Sequence, residues 1–411
     1  MAMRDLLFLS HRLPYPPNKG DKIRSWHMLR HLATRYRVHL GCFIDDDFDR
    51  RYIDTVAAHC ASLRVIRLDK RVALMRGAIN LLCGGSLSIG YFHNRQLQSW
   101  VDEVVTRHRP AVAFAYCSAM APYVMTDKAK DMRRVVDMVD VDSDKWRQYA
   151  AKRCWPLSAA YSREAAALLS YERKIANQFE ATLFVSDTEA DLFRRLAPES
   201  AERIHGVANG VDCEYFDPAR GYDNPYPEGQ LPIVFTGAMD YWPNVDAVAW
   251  FAEKVMPLLK TQPRLRFYIV GSNPSPVVKA LAADPGIVVT GRVEDVRPYL
   301  AHAAIAVAPL RVARGIQNKV LEAMAMGRPI VASPAALEGI GPEAAKYLVS
   351  AESPEDFATS IAQILTGAGP AALGVEAAQS ARETYGWGRS LRHLEALLNG
   401  PLGHRAKAAG E

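Results

Sequence analysis

Short apolar runs rich in β-branched and aromatic residues alternate with helical patterns along the whole chain. In the front half these runs cover residues 6–9, 38–43, 63–68, 111–116, 134–138 and 181–185. Between them, residues 21–36 and the long stretch 144–178 have the periodicity of helices. Strands that alternate with helices are typical of βαβ units around a parallel sheet.

The same alternation starts again after a turn-rich segment at residues 212–231. Five further apolar runs follow, at residues 232–235, 265–270, 287–289, 304–308 and 329–332. A last helical pattern begins at Trp387 and precedes a polar tail. We therefore predict an α/β protein of two doubly wound domains, residues 1–205 and 206–386. The helix at 387–399 is expected to cross back onto the first domain, and the tail at 400–411 is expected to fray.

Composition places the chain among ordinary globular proteins. Hydrophobic residues make up 49% and charged residues 23% of the 411 residues, which argues against a fibrous or disordered chain. Residues 1–205 carry 32 Lys and Arg against 24 Asp and Glu, whereas residues 206–411 carry 18 against 21. A basic front half fits an anionic partner such as a membrane surface or a phosphorylated substrate, and equally an Arg-rich solvated surface.

The sequence also bears on the cellular location. Six scattered cysteines without a CxxC pair favour a reducing compartment. The apolar stretch near the amino terminus is too short for a signal peptide, and the uncharged span 77–94 is too rich in Gly, Ser and Asn to cross a membrane. We expect a cytoplasmic protein. Residues 81–92, flanked by Arg71, Arg76 and Arg95, fit either a shallow membrane-docking element or a buried connection.

Signatures of common nucleotide-handling and hydrolytic enzymes are absent from the sequence, including GxxxxGK, GxSxG, HExxH and a GxGxxG after the first strand. Asp140, Asp142 and Asp144 copy the first three ligand positions of a calcium loop. Lys145 and Ala151, however, occupy the positions that require Gly and Glu. We therefore assign no metal and no other cofactor.

The most informative segment is a loop that leads into a short helix with Asn318 as its expected N-cap. The loop is expected to present backbone N–H groups from Gly315, Ile316, Gln317 and Asn318 to a ligand. Together with the positive end of the helix dipole and the cations of Arg314 and Lys319, these groups are typical of a diphosphate site. Glu322, three residues after Lys319, is suited to bind a pair of sugar hydroxyls. An exposed ion pair between Lys319 and Glu322 remains the alternative.

Four segments of the chain carry a family resemblance. The string Lys319–Ala332, KVLEAMAMGRPIVA, resembles the donor-site motif of the retaining GT-B glycosyltransferases of family 4. Asn209–Asp212 and Tyr385–Trp387 are similar to two other segments of that family. The stretch Pro14–Arg24 resembles the subgroup of sugar transferases associated with exosortase (PEP-CTERM) and exopolysaccharide systems. Together the matches extend over about residues 4–395.

The resemblance implies a GT-B fold, in which two Rossmann-like domains face each other across a cleft. The second domain would hold a nucleotide-sugar donor and the first an acceptor, with Glu322 on the ribose hydroxyls. The other donor positions implied are Gly20 from the first domain, Gly237 under the diphosphate, and Gly291, Arg292 and Val293 around the base. Arg314 stands where the family usually has a second Glu, and the usual Arg/Lys pair after the first strand of the donor domain is missing. We infer that Arg314 and Lys319 together replace those cations.

The acceptor-side candidates lie in the first domain. They are Lys19, Asp21, Lys22, Arg24, Asp140 and Asp142. The basic members surround Gly20 and fit either a phosphate site or ordinary surface charge. The aspartates at 140 and 142 follow a strand end, where α/β sites cluster, but a capping or solvated role fits them equally well.

The function that the resemblance implies is transfer of a hexose, without a metal, from a nucleotide sugar to a glycan or lipid-linked acceptor. The anomeric configuration would be retained, and the leaving diphosphate would help to deprotonate the acceptor hydroxyl. Arg314, Lys319 and Glu322 would be the catalytic residues. The expected setting is bacterial exopolysaccharide synthesis at the inner face of the membrane, without nucleic acid. A catalytically silent nucleotide-sugar scaffold and a GT-B epimerase are the alternatives.

Overall fold

The computed structural model describes residues 3–17, 19–151, 153–313, 315–367 and 373–400. The chain divides into two compact units. The first is built from Met1–Ala208 and takes in the chain again from Leu391, and the second is Asn209–Ser390. Each unit contains one parallel sheet covered by helices. No helix within the described ranges is long and apolar enough to span a membrane.

The first unit contains a seven-stranded sheet with the strand order β3-β2-β1-β4-β5-β6-β7. The strands are β1 Arg4–Ser10, β2 Tyr36–Ile44, β3 Ser62–Arg67, β4 Val112–Tyr116, β5 Arg133–Val139, β6 Ala181–Phe184 and β7 Ile204–Gly206. The central strand β1 pairs in parallel with β2 and β4, so that Leu6 lies opposite Val38 and Val112. Helices on both faces bury such strands completely, which is why they read as continuous apolar runs.

The helices of the first unit connect these strands. They are α1 Gly20–Ala33, α2 Ile53–Ala57, α3 Lys70–Leu82, α4 Leu87–Tyr91, α5 Arg95–His108, α6 Asp142–Ala151, α7 Leu157–Gln178 and α8 Asp187–Leu196. The predicted helix 144–178 is wrong as a single element. It is broken between α6 and α7 at Pro156, because a proline disfavours helical backbone in the residue before it.

The second unit contains a six-stranded parallel sheet with the order β10-β9-β8-β11-β12-β13. Its strands are β8 Leu231–Thr236, β9 Leu265–Val270, β10 Ile287–Gly291, β11 Ile305–Ala308, β12 Ile330–Ala332 and β13 Val349–Ser350. Its helices are α9 Trp242–Trp250, α10 Pro276–Ala280, α11 Arg297–Ala301, α12 Asn318–Ala325, α13 Pro334–Leu337, α14 Pro342–Ala345, α15 Pro354–Leu365 and α16 Leu373–Thr384. The prediction of two doubly wound α/β domains is confirmed.

The last helix, α17 Trp387–Asn399, ends on the first unit. The Tyr36 hydroxyl donates a hydrogen bond to Asn399 Oδ1 over 2.9 Å, and Arg133 Nε donates to the carbonyl of Leu397 over 2.9 Å. The division expected after residue 205 would fall inside β7, which pairs with β6 in the first unit. The tail at 401–411, expected to fray, lies outside the described residues.

Candidate functional site

Helix α12 presents its polar side chains on one side only. Its buried face consists of Val320, Leu321, Ala323, Met324 and Ala325, which pack into the core of the second unit. Lys319 and Glu322 are therefore left on the opposite, half-buried side, one turn apart. Asn318, which was expected to be the N-cap, is the first residue of the helix. The N-cap is Gln317, whose backbone is extended.

The ammonium group of Lys319 is held by groups from two other elements. Lys319 Nζ donates a hydrogen bond of 3.1 Å to Asn244 Oδ1 on α9 and lies 5.1 Å from the ring centroid of Phe235 on β8. Burial lowers the pKa of Lys319 to about 8, although the negative charge of Glu322 acts in the opposite direction. An anion beside this ammonium would favour its charged form.

Glu322 is the second perturbed group of this helix. Burial raises the pKa of Glu322 to about 7, and the positive charge of Lys319 only partly opposes the shift. Among the described residues, no donor lies within hydrogen-bonding distance of the Glu322 carboxylate. A partly buried carboxylate with unused acceptor capacity is a typical feature of a ligand site.

The strands next to this helix end in closely packed glycines. Gly237 N donates to the carbonyl of Val270 over 3.1 Å, and Gly271 N donates to the carbonyl of Gly291 over 3.2 Å. A Cβ atom at Gly271 would lie 1.6 Å from the Gly237 carbonyl oxygen, so only glycine fits there. The carboxyl ends of β8, β9 and β10 thus expose backbone at the edge where ligands of α/β sheets bind.

Asn244 joins this glycine edge to α12. Its Nδ2 donates to the carbonyl of Ala238 over 2.8 Å, while its Oδ1 accepts from Lys319. A Cβ atom at Gly237 would lie 2.7 Å from the same Nδ2. The sequence analysis missed Asn244, because a single amide within a helical pattern gives no signal of a tertiary role.

The loop before α12 packs directly against Gly339. A Cβ atom at Gly339 would lie 2.6 Å from the backbone nitrogen of Ile316 and 2.7 Å from the carbonyl carbon of Gly315. Gly315 itself has a φ of 59°, which favours glycine. Arg314, the residue expected to supply a second cation, lies outside the described residues.

The two other segments of the family resemblance meet near the start of α12. Val211 N donates to the carbonyl of Tyr385 over 2.8 Å, and a Cβ atom at Gly210 would lie 2.7 Å from the backbone nitrogen of Trp387. Asn209 Nδ2 donates to Asn318 Oδ1 over 3.4 Å. The two segments therefore pack together beside the start of α12, and their close approach leaves no room for a side chain at Gly210.

The residues expected around the base follow β10. Gly291 ends that strand with a φ of 69°, and a Cβ atom there would meet nothing within 4 Å. Val293 packs partly against the core of the second unit, and Arg292 is exposed. The structure thus links Lys319 and Gly237 through Asn244, and Glu322 lies one turn after Lys319 on α12.

The acceptor-side candidates of the first unit are mostly held in ion pairs. Lys22 Nζ lies 2.8 Å from Asp49 Oδ2, both buried, and the wholly buried Arg24 Nε lies 2.7 Å from Asp137 Oδ2. Lys145 Nζ lies 2.7 Å from Asp140 and 3.2 Å from Asp142. Gly20 opens α1 and is exposed, and Lys19 precedes it and is half-buried. Burial in these pairs favours a structural role for Lys22 and Arg24.

Asp21 belongs to a cluster that includes a residue the sequence analysis missed. Asp21 Oδ2 lies 2.6 Å from Arg12 Nη1 and 3.2 Å from His11 Nε2. Burial by itself lowers the pKa of His11, but the nearby Cys117 and Asp21 outweigh it and raise the pKa to about 10. His11 follows the central strand β1, and this position at a strand end is the signal that could have found it.

One further group of side chains has metal-ligand chemistry. Potential ligand atoms of Asp5, His39 and His108 lie within 4.8 Å of one another in the first unit. The His39 ring nitrogens, however, already lie 2.8 Å from Asp5 Oδ1 and 2.7 Å from Ser62 Oγ. Because these contacts satisfy both nitrogens within the protein, we assign no metal to this group.

The described geometry agrees with comparisons to known proteins. Residues 230–367, which carry the candidate site, match the family model of the glycosyl transferases group 1. No curated protein matches the chain.

Several solved structures share the fold over nearly the whole chain. Sucrose-phosphate synthase from Thermosynechococcus elongatus is 16% identical, with a TM-score of 0.67 over 96% of this chain and 98% of that one. WaaG, a glycosyltransferase involved in lipopolysaccharide biosynthesis, is 14% identical, with a TM-score of 0.66 over 96% and 100%. HepE from Anabaena in complex with UDP-glucose is 14% identical, with a TM-score of 0.65 over 96% and 99%. The protein therefore has the GT-B fold, and residues 230–367 of its second unit are similar to the group 1 glycosyl transferases.

Proposed function

We propose that this protein is a glycosyltransferase that moves a hexose from a nucleotide sugar to a glycan or lipid-linked acceptor. The observation that carries the proposal is the half-buried pair Lys319 and Glu322 beside the glycine edge, within the stretch that matches the group 1 model. The complexes of HepE with UDP and with UDP-glucose support a nucleotide sugar as the donor. Bacterial exopolysaccharide synthesis at the inner face of the membrane is the proposed setting.

The proposed donor site follows from the chemistry of its residues. The positive end of α12, the N–H groups of its loop and the Lys319 ammonium would hold the diphosphate. The unpaired acceptor capacity of Glu322 would take the ribose hydroxyls, in the way that acidic residues do in other nucleotide folds. Binding of the dianion would also restore full charge to Lys319, whose pKa burial lowers to about 8.

We propose transfer with retention of the anomeric configuration and without a metal. The role of the protein would be to stabilise charge on the leaving diphosphate, which the positive charges of Lys319 and Arg314 would do. The leaving oxygen would take the proton of the acceptor hydroxyl as the new glycosidic bond forms. Family 4 membership and the exosortase-associated subgroup belong to this proposal and rest on the sequence resemblance.

Thermal stabilisation by a panel of UDP-, GDP- and ADP-sugars tests the donor site. A ligand at 100 times its dissociation constant should stabilise the fold by about 2.7 kcal/mol. We expect the sugar nucleotides of one base to stabilise the protein more than those of the other two. Glu322→Gln should remove this stabilisation, whereas the exposed Glu338→Gln on the same unit should retain it.

Release of free nucleotide then separates the enzyme from its alternatives. A glycosyltransferase is expected to hydrolyse one sugar nucleotide slowly and to release the nucleotide faster when an acceptor is present. The NMR signal of the anomeric proton of the product shows whether the configuration is retained. Binding without turnover would instead identify a silent scaffold, and conversion of the sugar without transfer would identify an epimerase.

A further inference from the structure

Helix α3 has its apolar side chains on the outside. The side chains that face inward are small: Ala73 and Gly77 are buried. Outward, Leu74 is 54% exposed, Met75 59%, Ile79 53% and Leu82 78%. This is the reverse of a surface helix of a globular protein, which turns its large apolar residues to the core. We call the four outward residues the α3 stripe.

The helix under this stripe is firmly built into the first unit. A Cβ atom at Gly77 would lie 2.8 Å from the carbonyl oxygen of Leu87, so α3 and α4 are in close contact. Glu164 of α7 in turn fixes the start of α4, since its carboxylate accepts from Ser86 Oγ over 2.8 Å and from the backbone nitrogen of Leu87 over 2.6 Å. The stripe is therefore a fixed surface and not a loose segment.

The charged side chains of helix α3 itself all have one sign. Helix α3 contains Lys70, Arg71 and Arg76 and no carboxylate. Its nearest acidic residue in sequence, Asp69, is engaged as the N-cap and accepts from the backbone nitrogens of Arg71 and Val72. An apolar face edged by cations is complementary to a lipid surface with anionic headgroups.

A second exposed aromatic and apolar pair lies near the start of α7, the helix that contacts the end of α3. Arg163 Nη2 of α7 donates to the Leu82 carbonyl over 3.4 Å. Two turns earlier in the chain, Trp155 is 81% exposed and Leu157 51%. Tryptophan is a residue that prefers the interface between headgroups and acyl chains.

From these observations we propose that the α3 stripe docks the protein onto an anionic phospholipid bilayer, with Lys70 and Arg71 on the headgroups. With thirteen residues α3 is too short to span the bilayer, so it lies in the interface. The stripe shares only Leu82 with the docking element expected at residues 81–92, where Ser86 and Gly90 are buried. The inference does not depend on the proposed function.

Co-sedimentation of the full chain with vesicles, without any sugar nucleotide, tests the proposal. Vesicles of phosphatidylcholine and phosphatidylglycerol in a two-to-one ratio should bind the protein, and vesicles of phosphatidylcholine alone should bind it at least about tenfold more weakly. Ile79→Ser with Leu82→Ser should weaken binding at least about tenfold. Lys70→Gln with Arg71→Gln should weaken it about fivefold per charge. Val277→Ser with Val375→Ser, which removes exposed apolar residues of the second unit, should leave binding unchanged.

Each other outcome overturns the inference. If the wild type and both α3 variants bind vesicles equally well, the protein contacts the membrane through another surface. If the wild type binds both kinds of vesicle equally well, the cations of α3 do not contribute to binding. Absence of vesicle binding, together with a wild-type dimer in sedimentation velocity that Ile79→Ser with Leu82→Ser dissociates, would show that a second copy covers the stripe. The two α3 variants are independent, so one remains informative if the other lowers the thermal midpoint.

Discussion

Lys319 and Asn244 join α12 to α9 through a hydrogen bond of 3.1 Å between the lysine ammonium and the amide oxygen. The amide nitrogen of the same Asn244 donates to the carbonyl of Ala238 in the turn after β8. One side chain thus sets the position of the cation relative to the exposed backbone of the turn. In the proposed donor site both groups would act on the same diphosphate.

Loss of Lys319 should reduce turnover far more than stability. We expect Lys319→Ala to lower kcat by about 100- to 1,000-fold, because the leaving diphosphate loses a preorganised cation. The free energy of unfolding should change little, since burial already disfavours the charged form, as the lowered pKa indicates. Single-turnover kinetics and urea unfolding measure the two effects. The exposed Lys279→Ala on the same unit is the control, and equal activity of the two variants would contradict the donor-site assignment.

Asn244→Ala should raise the KM for the donor more than it lowers kcat. The variant leaves both Lys319 and the 237–238 turn without their common partner. Part of the binding free energy of the donor is then used to order the site, so the affinity falls. A loss of about fivefold to tenfold in affinity corresponds to about 1–1.5 kcal/mol, the usual size of one or two hydrogen bonds. Asn273→Ala, which removes a similar amide bonded to Asp240 over 3.1 Å at an exposed position, should bind the donor normally.

The pH dependence of kcat/KM should be bell-shaped and narrow. Burial raises the pKa of Glu322 to about 7 and lowers that of Lys319 to about 8. The carboxylate needed for the ribose therefore forms as the pH rises through 7, and the ammonium needed for the diphosphate is lost as the pH rises through 8. Glu322→Gln should remove the acidic limb and keep the basic one. A profile that is flat from pH 6 to 9 would exclude both groups from donor binding.

Gly339→Ala should displace the loop before α12 while leaving the helix itself intact. The added methyl group would overlap the backbone of Gly315 and Ile316, neither of which can turn away as a flexible side chain does. We expect weaker donor binding by at least about tenfold, since the loop N–H groups no longer converge. Isothermal titration with the preferred nucleotide measures the effect. Gly286→Ala is the matched control, because its Cβ would meet only side-chain atoms, Asp284 Oδ1 at 3.1 Å and Met256 Cε at 3.6 Å.

The alternation of strands and helices could be read from the sequence because strands buried on both faces appear as apolar runs. Strands β7 and β13 were missed, since three and two residues are too few to form a pattern. The Lys319–Glu322 pair was found because helical spacing is local information. Asn244 and His11 were not found, because their partners lie on elements that only the fold brings together.

Buried cations were the least predictable feature of the chain. From the sequence alone, Lys22 and Arg24 are expected at the surface, since most Lys and Arg side chains are exposed. Their partners, Asp49 and Asp137, are 27 and 113 residues away in the chain. Local sequence patterns do not predict ion pairs between residues so far apart in the chain. We therefore infer that these two residues stabilise the first unit, while their assignment to the acceptor site stays a prediction.

Arg24 provides a direct test of that inference. Its guanidinium donates to Asp137 over 2.7 Å and to the carbonyl of Val207 over 2.7 Å, and both charged side chains are fully buried. Arg24→Met would leave a buried carboxylate without its cation, which typically costs about 3–5 kcal/mol. Arg35→Met, which removes a mostly exposed partner of Glu395, should cost less than about 1 kcal/mol. Urea unfolding at pH 7 compares the two.

The pH dependence of the Arg24→Met variant separates this role from one in substrate binding. Burial already raises the pKa of Asp137 in the wild type, and loss of the arginine should raise it further. A carboxyl group with a raised pKa in the folded state destabilises the fold as the pH increases from its ordinary value through the raised one. The deficit of Arg24→Met relative to wild type should therefore be smaller at pH 5 than at pH 8, and Asp137→Asn in the same chain should abolish this difference. A normal free energy of unfolding with lost acceptor binding would restore Arg24 to the acceptor site.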